Sequence, residues 1–404
     1  MSVQPASTVM DTIMLHQELE AELHAIAAWW MSHSRDDVHG GCFGSIANDN
    51  TLHAKAPKGS VLHSRVLWTF SAFYQYTQND EHRLMADHAY AFLIDHLLDK
   101  DFGGLYWTVD YKGNPLEDKK QVYATAFGIY ALAQYHLATG HAEALKLAME
   151  LFSLLEQKAF DPGYGGYFDA FGRQWQPIAD MRLSEKDANE AKTMNTHLHV
   201  LEAYTALYHC RPDGQIVKAI RKLLNNFFTY FINPQTHHLQ LFFDAQWQCR
   251  GDMISYGHDI EAAWLLQEAA EAIGDADWIN ITKANAVQMA IAVQRGLAGD
   301  GALWYEFDPA HGGLVREKHW WPQAEAMVGF YNAWQVSGDA SFAAQAINSW
   351  TFIKARLKAE NGEWYWGIGE DGNAMPGKDK AGLWKCPYHN GRACLEMLKR
   401  LARS

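Results

Sequence analysis

The sequence predicts an all-α fold in which six helical hairpins close into an (α/α)6 barrel, with short β-hairpin loops gathered on the face that carries the candidate site. Three observations predict it. A glycine-rich or polar turn followed by an alternating aromatic run recurs six times; two helical patterns lie between successive runs; and short loops join the second helix of one interval to the first of the next. A single domain, residues 1–404, is expected to hold all of this.

The aromatic runs are GGCFGSI from Gly40, GGLYWTVD from Gly103, GGYFDAFG from Gly165, HLQLFFD from His238, GALWYEFD from Gly301 and GEWYWGIG from Gly362. Their starts lie 61 to 73 residues apart, and the fourth lacks its glycines. One set of helices is predicted at 9–33, 81–99, 141–159, 212–230, 276–296 and 340–357, and a second at 60–78, 121–138, 189–209, 255–273, 320–337 and 387–402. Apolar residues recur at three- and four-residue spacing, as in Leu145, Ala148, Phe152 and Leu155. Loops as short as YTQND and HLATGH make the helices they join antiparallel neighbours. Pro322 and Pro387 fall in the first turn of two second-set helices, where a missing N–H costs little. The second set is the more apolar and forms the predicted inner ring, which puts all six long loops at its N-terminal end. Closing the ring buries both layers and leaves no end to cap; an open solenoid is the alternative.

Composition narrows the function classes. Apolar residues make up 48% of the chain, aromatics 13%, and there are 16 Trp, as a folded, core-rich protein requires. A net charge of −13 argues against a nucleic acid or an anionic membrane as partner, since both select a basic face. The N-terminus, MSVQPASTVMDTIML, shows no signal-peptide pattern, and no run is apolar for long enough to span a bilayer. Five cysteines at 42, 210, 249, 386 and 394 include no CxxC pair and suit free thiols in a reducing compartment. The expected location is cytoplasmic.

The starts of the predicted inner helices carry Arg65, Tyr123, Asn195, His258, Trp321 and His389, a polar or aromatic group in each repeat. Three helices continue the stripe down one face: Asn195, His199 and Glu202; His258 and Glu261; His389, Arg392 and Glu396. Polar groups buried without partners cost several kcal/mol, so the stripe reads as the lining of a solvated funnel. His197 and His199 point about 200° apart on a helix, so His199 is assigned to the funnel and His197 to a satisfied position between the layers. That spacing also weakens a zinc reading of HLH, and the HH pair at 237–238 is expected to be a solvated loop. Trp29, Trp68, Trp264 and Trp334 read as packing, whereas Trp304, Trp320, Trp321, Trp366 and Trp384 lie near loop ends, where they can serve as stacking platforms for a neutral sugar.

No GxSxG motif and no phosphate-cradling glycine loop is present. Histidines at helix N-termini are pushed toward the neutral form, which accepts protons at physiological pH. Two such imidazoles reaching one substrate from different sides fit proton transfer between the two faces of a carbon. The residues themselves lead to proton transfer on a neutral polyol.

NTHLHVLEAY, SYGHDIEAAWLL, WWPQAEAMVGFYNAW and KCPYHNGRACLEM resemble the N-acylglucosamine 2-epimerase superfamily and, within it, the cellobiose 2-epimerases. The resemblance covers essentially the whole chain. It implies a barrel that epimerises C2 of the reducing-end glucose of β-1,4-linked disaccharides, cellobiose to glucosyl-mannose and lactose to epilactose, with no metal and no cofactor. It implies an acid/base pair in His258 and His389, ring opening assisted by His199, and contacts to O1 and O2 from Arg65 and Asn195. Tyr123, Asp187 and Glu261 become substrate-binding positions, with Glu261 also able to orient His258. Trp321 and Trp384 become stacking residues for the two sugars. A small-molecule sugar is the expected partner, and the protein is expected to be a monomer. An aldose–ketose isomerase, or an epimerase of monosaccharides or N-acylglucosamines, is the alternative within the superfamily. A glycoside hydrolase, which needs two carboxylates across the scissile bond, and a non-catalytic glycan-binding protein are alternatives outside that chemistry.

Overall fold

The computed structural model describes residues 6–402, and within them the chain is mostly helical. The first helices are α1 (Ala6–His33), α2 (Ser60–Thr77), α3 (Asp80–Phe92), α4 (Val122–Thr139), α5 (Ala142–Lys158) and α6 (Met194–Cys210). They are followed by α7 (Gly214–Asn226), α8 (Tyr256–Ile273), α9 (Ala276–Val293), α10 (Trp320–Ser337), α11 (Ala340–Phe352) and α12 (Tyr388–Leu401). Local chemistry sets the boundaries. Asn79, Asp213, Asp275 and Asp339 each accept a backbone N–H in the first turn of the odd-numbered helix that follows. Gly140 ends α4 at φ 74°, a left-handed conformation that only glycine adopts without strain. The helix predicted from residue 189 begins at Met194 instead, because Lys192–Thr193 is extended and Thr193 Oγ1 caps the helix by accepting from Thr196 N at 3.2 Å.

The even-numbered helices are buried through most of their length and the odd-numbered ones along one stripe. Helix α2 packs on α4, α4 on α6, α6 on α8, α8 on α10, α10 on α12, and α12 returns to α2. Each even-numbered helix also packs on the odd-numbered helix that follows it, and α12 packs on α1. One apolar cluster runs from Leu15 to Leu401. The five cysteines form no disulfide, and among the described residues no helix is long and apolar enough to cross a membrane.

The strand-like runs are shorter than their sequence patterns, two or three residues each, and they pair between repeats. Lys58–Gly59 pairs with Thr108–Val109, Lys120–Gln121 with Ala170–Phe171, and Lys192–Thr193 with Phe242–Phe243. Ile254–Ser255 pairs with Glu306–Asp308 and Lys318–His319 with Gly367–Ile368, and Asp379–Ala381 reaches back to Ile46–Ala47. The segment entering each even-numbered helix is thereby tied to the aromatic run of the next repeat.

Two further devices recur at these junctions. The fourth residue of an inner helix accepts a backbone N–H from the run before it: Cys42 N to His63 Nε2 at 2.9 Å, Tyr167 N to His197 Nε2 at 2.9 Å, Leu239 N to Asp259 Oδ1 at 2.8 Å and Leu303 N to Gln323 Oε1 at 2.8 Å. His197 is thus a satisfied histidine away from the cavity, with Nδ1 also 2.7 Å from Thr193 O. A buried lysine two residues before the helix clamps the turn: Lys58 to Asp36 at 2.7 Å, Lys120 to Asp99 at 2.8 Å and Lys192 to Asp161 at 2.7 Å. The fourth repeat has Ile254 and Asn233 in those places, and His238 bonds Asp259 at 2.7 Å instead. His238 is therefore buried, contrary to the solvated loop pair expected for 237–238, because Asp259 needs a partner in the apolar layer.

Candidate active site

A cavity of about 650 Å³ opens at the N-terminal ends of the even-numbered helices. All ten residues singled out from the sequence line it: Arg65, Tyr123, Asp187, Asn195, His199, His258, Glu261, Trp321, Trp384 and His389. They arrive on six separate chain segments, so the shared phase of the inner helices is what assembles them. Trp320 and Trp366 join the lining as well, whereas Trp304 lies under the ammonium of Lys318 at 4.7 Å.

Each histidine is held through Nδ1. His389 Nδ1 lies 2.7 Å from Glu325 Oε1, His199 Nδ1 is 2.9 Å from Glu202 Oε2, and His258 Nδ1 is 2.8 Å from Ser255 Oγ. A carboxylate can only accept, so the first two imidazoles carry their proton on Nδ1. The rings of His258 and His389 lie 4.7 Å and 5.7 Å from the Trp321 ring. Burial, and then the neighbouring His199, Lys186, His389 and Arg65, holds His258 well below the usual histidine range. Burial, followed by Arg65, Arg392 and His199, does the same to His389. His199 is also lowered by burial, against the opposing pull of Glu202. All three are held toward the neutral form.

Arg65 faces them. Its Nη2 donates to Tyr123 OH at 2.6 Å, and the guanidinium sits over the Phe127 ring at 4.2 Å. Tyr123 meets the His199 ring edge-on at 5.0 Å, and Trp384 tilts against Trp107 at 5.6 Å. Asp187 lines the cavity but spends its Oδ2 on Ser184, accepting from N at 2.9 Å and from Oγ at 2.8 Å, so its first task is to shape its own loop. That loop reaches the opposite rim, where Lys186 bonds Tyr305 OH and, at 3.0 Å, Glu306 Oε1.

Below this level the expected solvated funnel is closed, and its polar side chains are buried. Arg392 is 2% exposed; its Nη2 donates to Glu261 Oε1 at 2.6 Å and to Glu325 Oε1 at 2.7 Å, and its Nη1 bonds Glu202 and Tyr388 OH. The polar stripe is a set of paired charges rather than a water-filled lining, which satisfies the same desolvation argument by a different route. Glu261 therefore belongs to Arg392 and does not orient His258. Burial and the adjacent Glu325 push Glu261 up to about 8 despite Arg392, and Glu325 is raised too. Burial alone would raise Glu202, but Arg392, His199 and Tyr388 bring it down to about 2. Among the described residues, Glu261, Glu325 and His389 have donor atoms within 4.8 Å of one another, close enough for a metal ion; Arg392 already supplies the positive charge that the two carboxylates require.

Glu325, Ser255 and Lys186 were not read from the sequence. Glu325 follows Trp321 by four residues and so shares its helix face, a signal that was present in WWPQAEAM. Ser255 and Lys186 act from positions without helical phase.

The family model described as N-acylglucosamine 2-epimerase (GlcNAc 2-epimerase) matches residues 41–393. A cellobiose 2-epimerase of Bacteroides fragilis is 46% identical over 391 residues, covering 96% of this chain and 100% of the relative. One from Ruminococcus albus is 39% identical, covering 96% of this chain and 99% of its own. The solved structure of a cellobiose 2-epimerase from Bacillus thermoamylovorans superposes with a TM-score of 0.91 at 39% identity, over 96% of this chain and 99% of that one.

Proposed function

The chain belongs to the N-acylglucosamine 2-epimerase family, and from that premise we propose that it epimerises C2 of the reducing-end glucose in β-1,4-linked disaccharides, turning cellobiose into glucosyl-mannose and lactose into epilactose. It is a carbohydrate epimerase, an enzyme of the isomerase class. We read the fold as a six-hairpin (α/α)6 barrel in one domain; the cyclic order of helix contacts and the strand pairing from Asp379–Ala381 back to Ile46–Ala47 support that reading.

The observation that carries the reaction is the pair of neutral imidazoles, His258 and His389, flanking one Trp321 ring in a single cavity. With the pyranose opened to the aldehyde, one imidazole takes the C2 proton through Nε2. The electron pair moves into a C1–C2 enediolate, and Arg65 and Asn195 hold its oxygens. The other ring, which has taken a proton from solvent at Nε2, delivers it to the opposite face of C2, which inverts that carbon and regenerates the aldehyde; that ring is left neutral and the first returns its proton to solvent. His199 handles the proton at O1 and O5 during ring opening, and Glu202 behind it stabilises its charged form. Asn195 Oδ1 is buried without a protein donor, as an acceptor awaiting a sugar hydroxyl would be. Trp321 stacks on the reducing-end sugar and Trp384 on the next one, a second platform that favours a disaccharide over a monosaccharide.

Proton NMR of cellobiose and lactose incubated with the protein in D2O tests this. Mannose-type anomeric signals with deuterium at C2 are expected. Exchange on mannose or N-acetylmannosamine but on neither disaccharide would move the substrate, and no exchange on any aldose would remove the catalytic reading.

A further inference from the structure

The three cavity histidines are backed by different chemistry. His199 and His389 each meet a carboxylate through Nδ1, whereas His258 meets only the hydroxyl of Ser255, at 2.8 Å. Ser255 is the N-cap residue of α8, in extended conformation at φ −110°, where a serine ordinarily accepts a backbone N–H of the first turn. Its side chain makes no such cap bond and is fully buried. The strand pairing of Ser255 with Glu306 fixes its backbone, so Oγ has a defined place from which to reach the ring. A residue type suited to capping has been turned away from the helix and onto an imidazole.

Building on the epimerase reading above, we propose that Ser255 is a positioning residue: its Oγ accepts the Nδ1 proton of His258, fixing the tautomer and aiming Nε2 at C2 of the sugar. The groups facing His258 make that bond matter. His199, His389, Arg65 and Lys186 reach it from four other segments and all four disfavour its charged form, while Glu261 on its own helix is tied to Arg392. Ser255 Oγ is the acceptor that stabilises the His258 imidazolium when it forms. Without it the ring can present either nitrogen, and proton delivery by His258 slows while abstraction by His389 continues.

The test is Ser255→Ala beside Ser255→Thr, assayed from each C2 epimer in D2O. Ser255→Ala is expected to lower kcat about 10- to 100-fold, a part of the roughly 10²–10⁴-fold that a positioned general acid or base contributes, with KM and thermal midpoint unchanged because Oγ caps no backbone group. Starting from the epimer whose C2–H faces His389, deuterium enters the unreacted sugar faster than epimer forms; from the other epimer, exchange and epimerisation fall together. The limb of the pH–rate profile that reports protonated His258 moves to lower pH. Ser255→Thr keeps the hydroxyl and restores the wild-type ratio of exchange to epimerisation. An unaltered kcat and exchange ratio in Ser255→Ala, or a fall in thermal midpoint with chemistry intact, would overturn the proposal and make Ser255 a structural cap. Absence of C2 exchange in the wild type would instead strike the epimerase reading itself.

Discussion

Replacing Arg392 with methionine keeps an unbranched side chain in place and removes the one guanidinium shared by Glu202, Glu261 and Glu325. The cost can be worked from Glu202. Its carboxyl lies at about 2 against an ordinary 4.5, with burial opposing and Arg392 the largest favourable contributor. At 1.36 kcal/mol per pH unit that shift is about 3 kcal/mol, in line with the roughly 3–5 kcal/mol lost when one partner of a buried ion pair is deleted. With unfolding entropy near 2 cal/mol/K per residue over 404 residues, Tm should fall by about 4–6 °C at pH 7. The sign with pH is fixed as well. A carboxyl depressed in the folded state adds stability above about pH 4.5 that is lost as the pH falls toward 2. In Arg392→Met the carboxyls are raised and gain protons on acidification, so the gap between variant and wild type narrows from pH 7 to pH 4. Calorimetric scans of both proteins across that range read this directly. A Tm loss under about 1 °C at pH 7, or a gap that widens on acidification, would refute the account of the network.

Glu325→Gln keeps a hydrogen-bond acceptor beside His389 but not the charge that stabilises its imidazolium, so kcat for cellobiose should fall roughly 10- to 100-fold in steady-state assays while KM holds. Trp384→Ala should raise KM for a disaccharide and leave C2 exchange on free mannose unaffected, as NMR would show. His197→Ala strips the acceptor from Tyr167 N–H, so about 1–3 kcal/mol of stability should disappear in denaturant titrations with the exchange rate per folded molecule intact. Because burial and nearby cations lower both His258 and His389, the acid limb of kcat/KM should lie below the ordinary histidine midpoint of about 6.5; a limb at or above that value would contradict the electrostatics.

Features confined to one helix were legible in the sequence. The parity of His197 and His199 separated a scaffold histidine from a cavity one, and the common phase of Asn195, His258 and His389 brought three separate repeats to one place. Features made between helices were not. Glu325 meets His389 and Arg392 across 64 and 67 residues of sequence; its i+4 phase with Trp321 places it on the cavity face, but nothing within α10 names those partners. For the same reason the stripe through Glu202 and Arg392 was expected to be wet: its polarity can be read from one helix, but its pairing joins four. Strand length was overread because aromatic alternation extends beyond the two or three residues that pair, the remaining rings packing at the junctions. Lys58, Lys120 and Lys192 were overlooked although each sits two residues before an inner helix, a regularity that a search for charged as well as apolar repeats would have caught.

The hairpin anchors all fall on the fourth residue of an inner helix, at His63, His197, Asp259 and Gln323. The cavity is lined from other angular positions in the same turns, at Asn195, His258 and Trp321. Foundation and chemistry are therefore written into different letters of one short word. Mutation can rewrite the letters that face the cavity while the scaffold letters stay fixed, so what the cavity accepts can drift without loosening the walls that hold it.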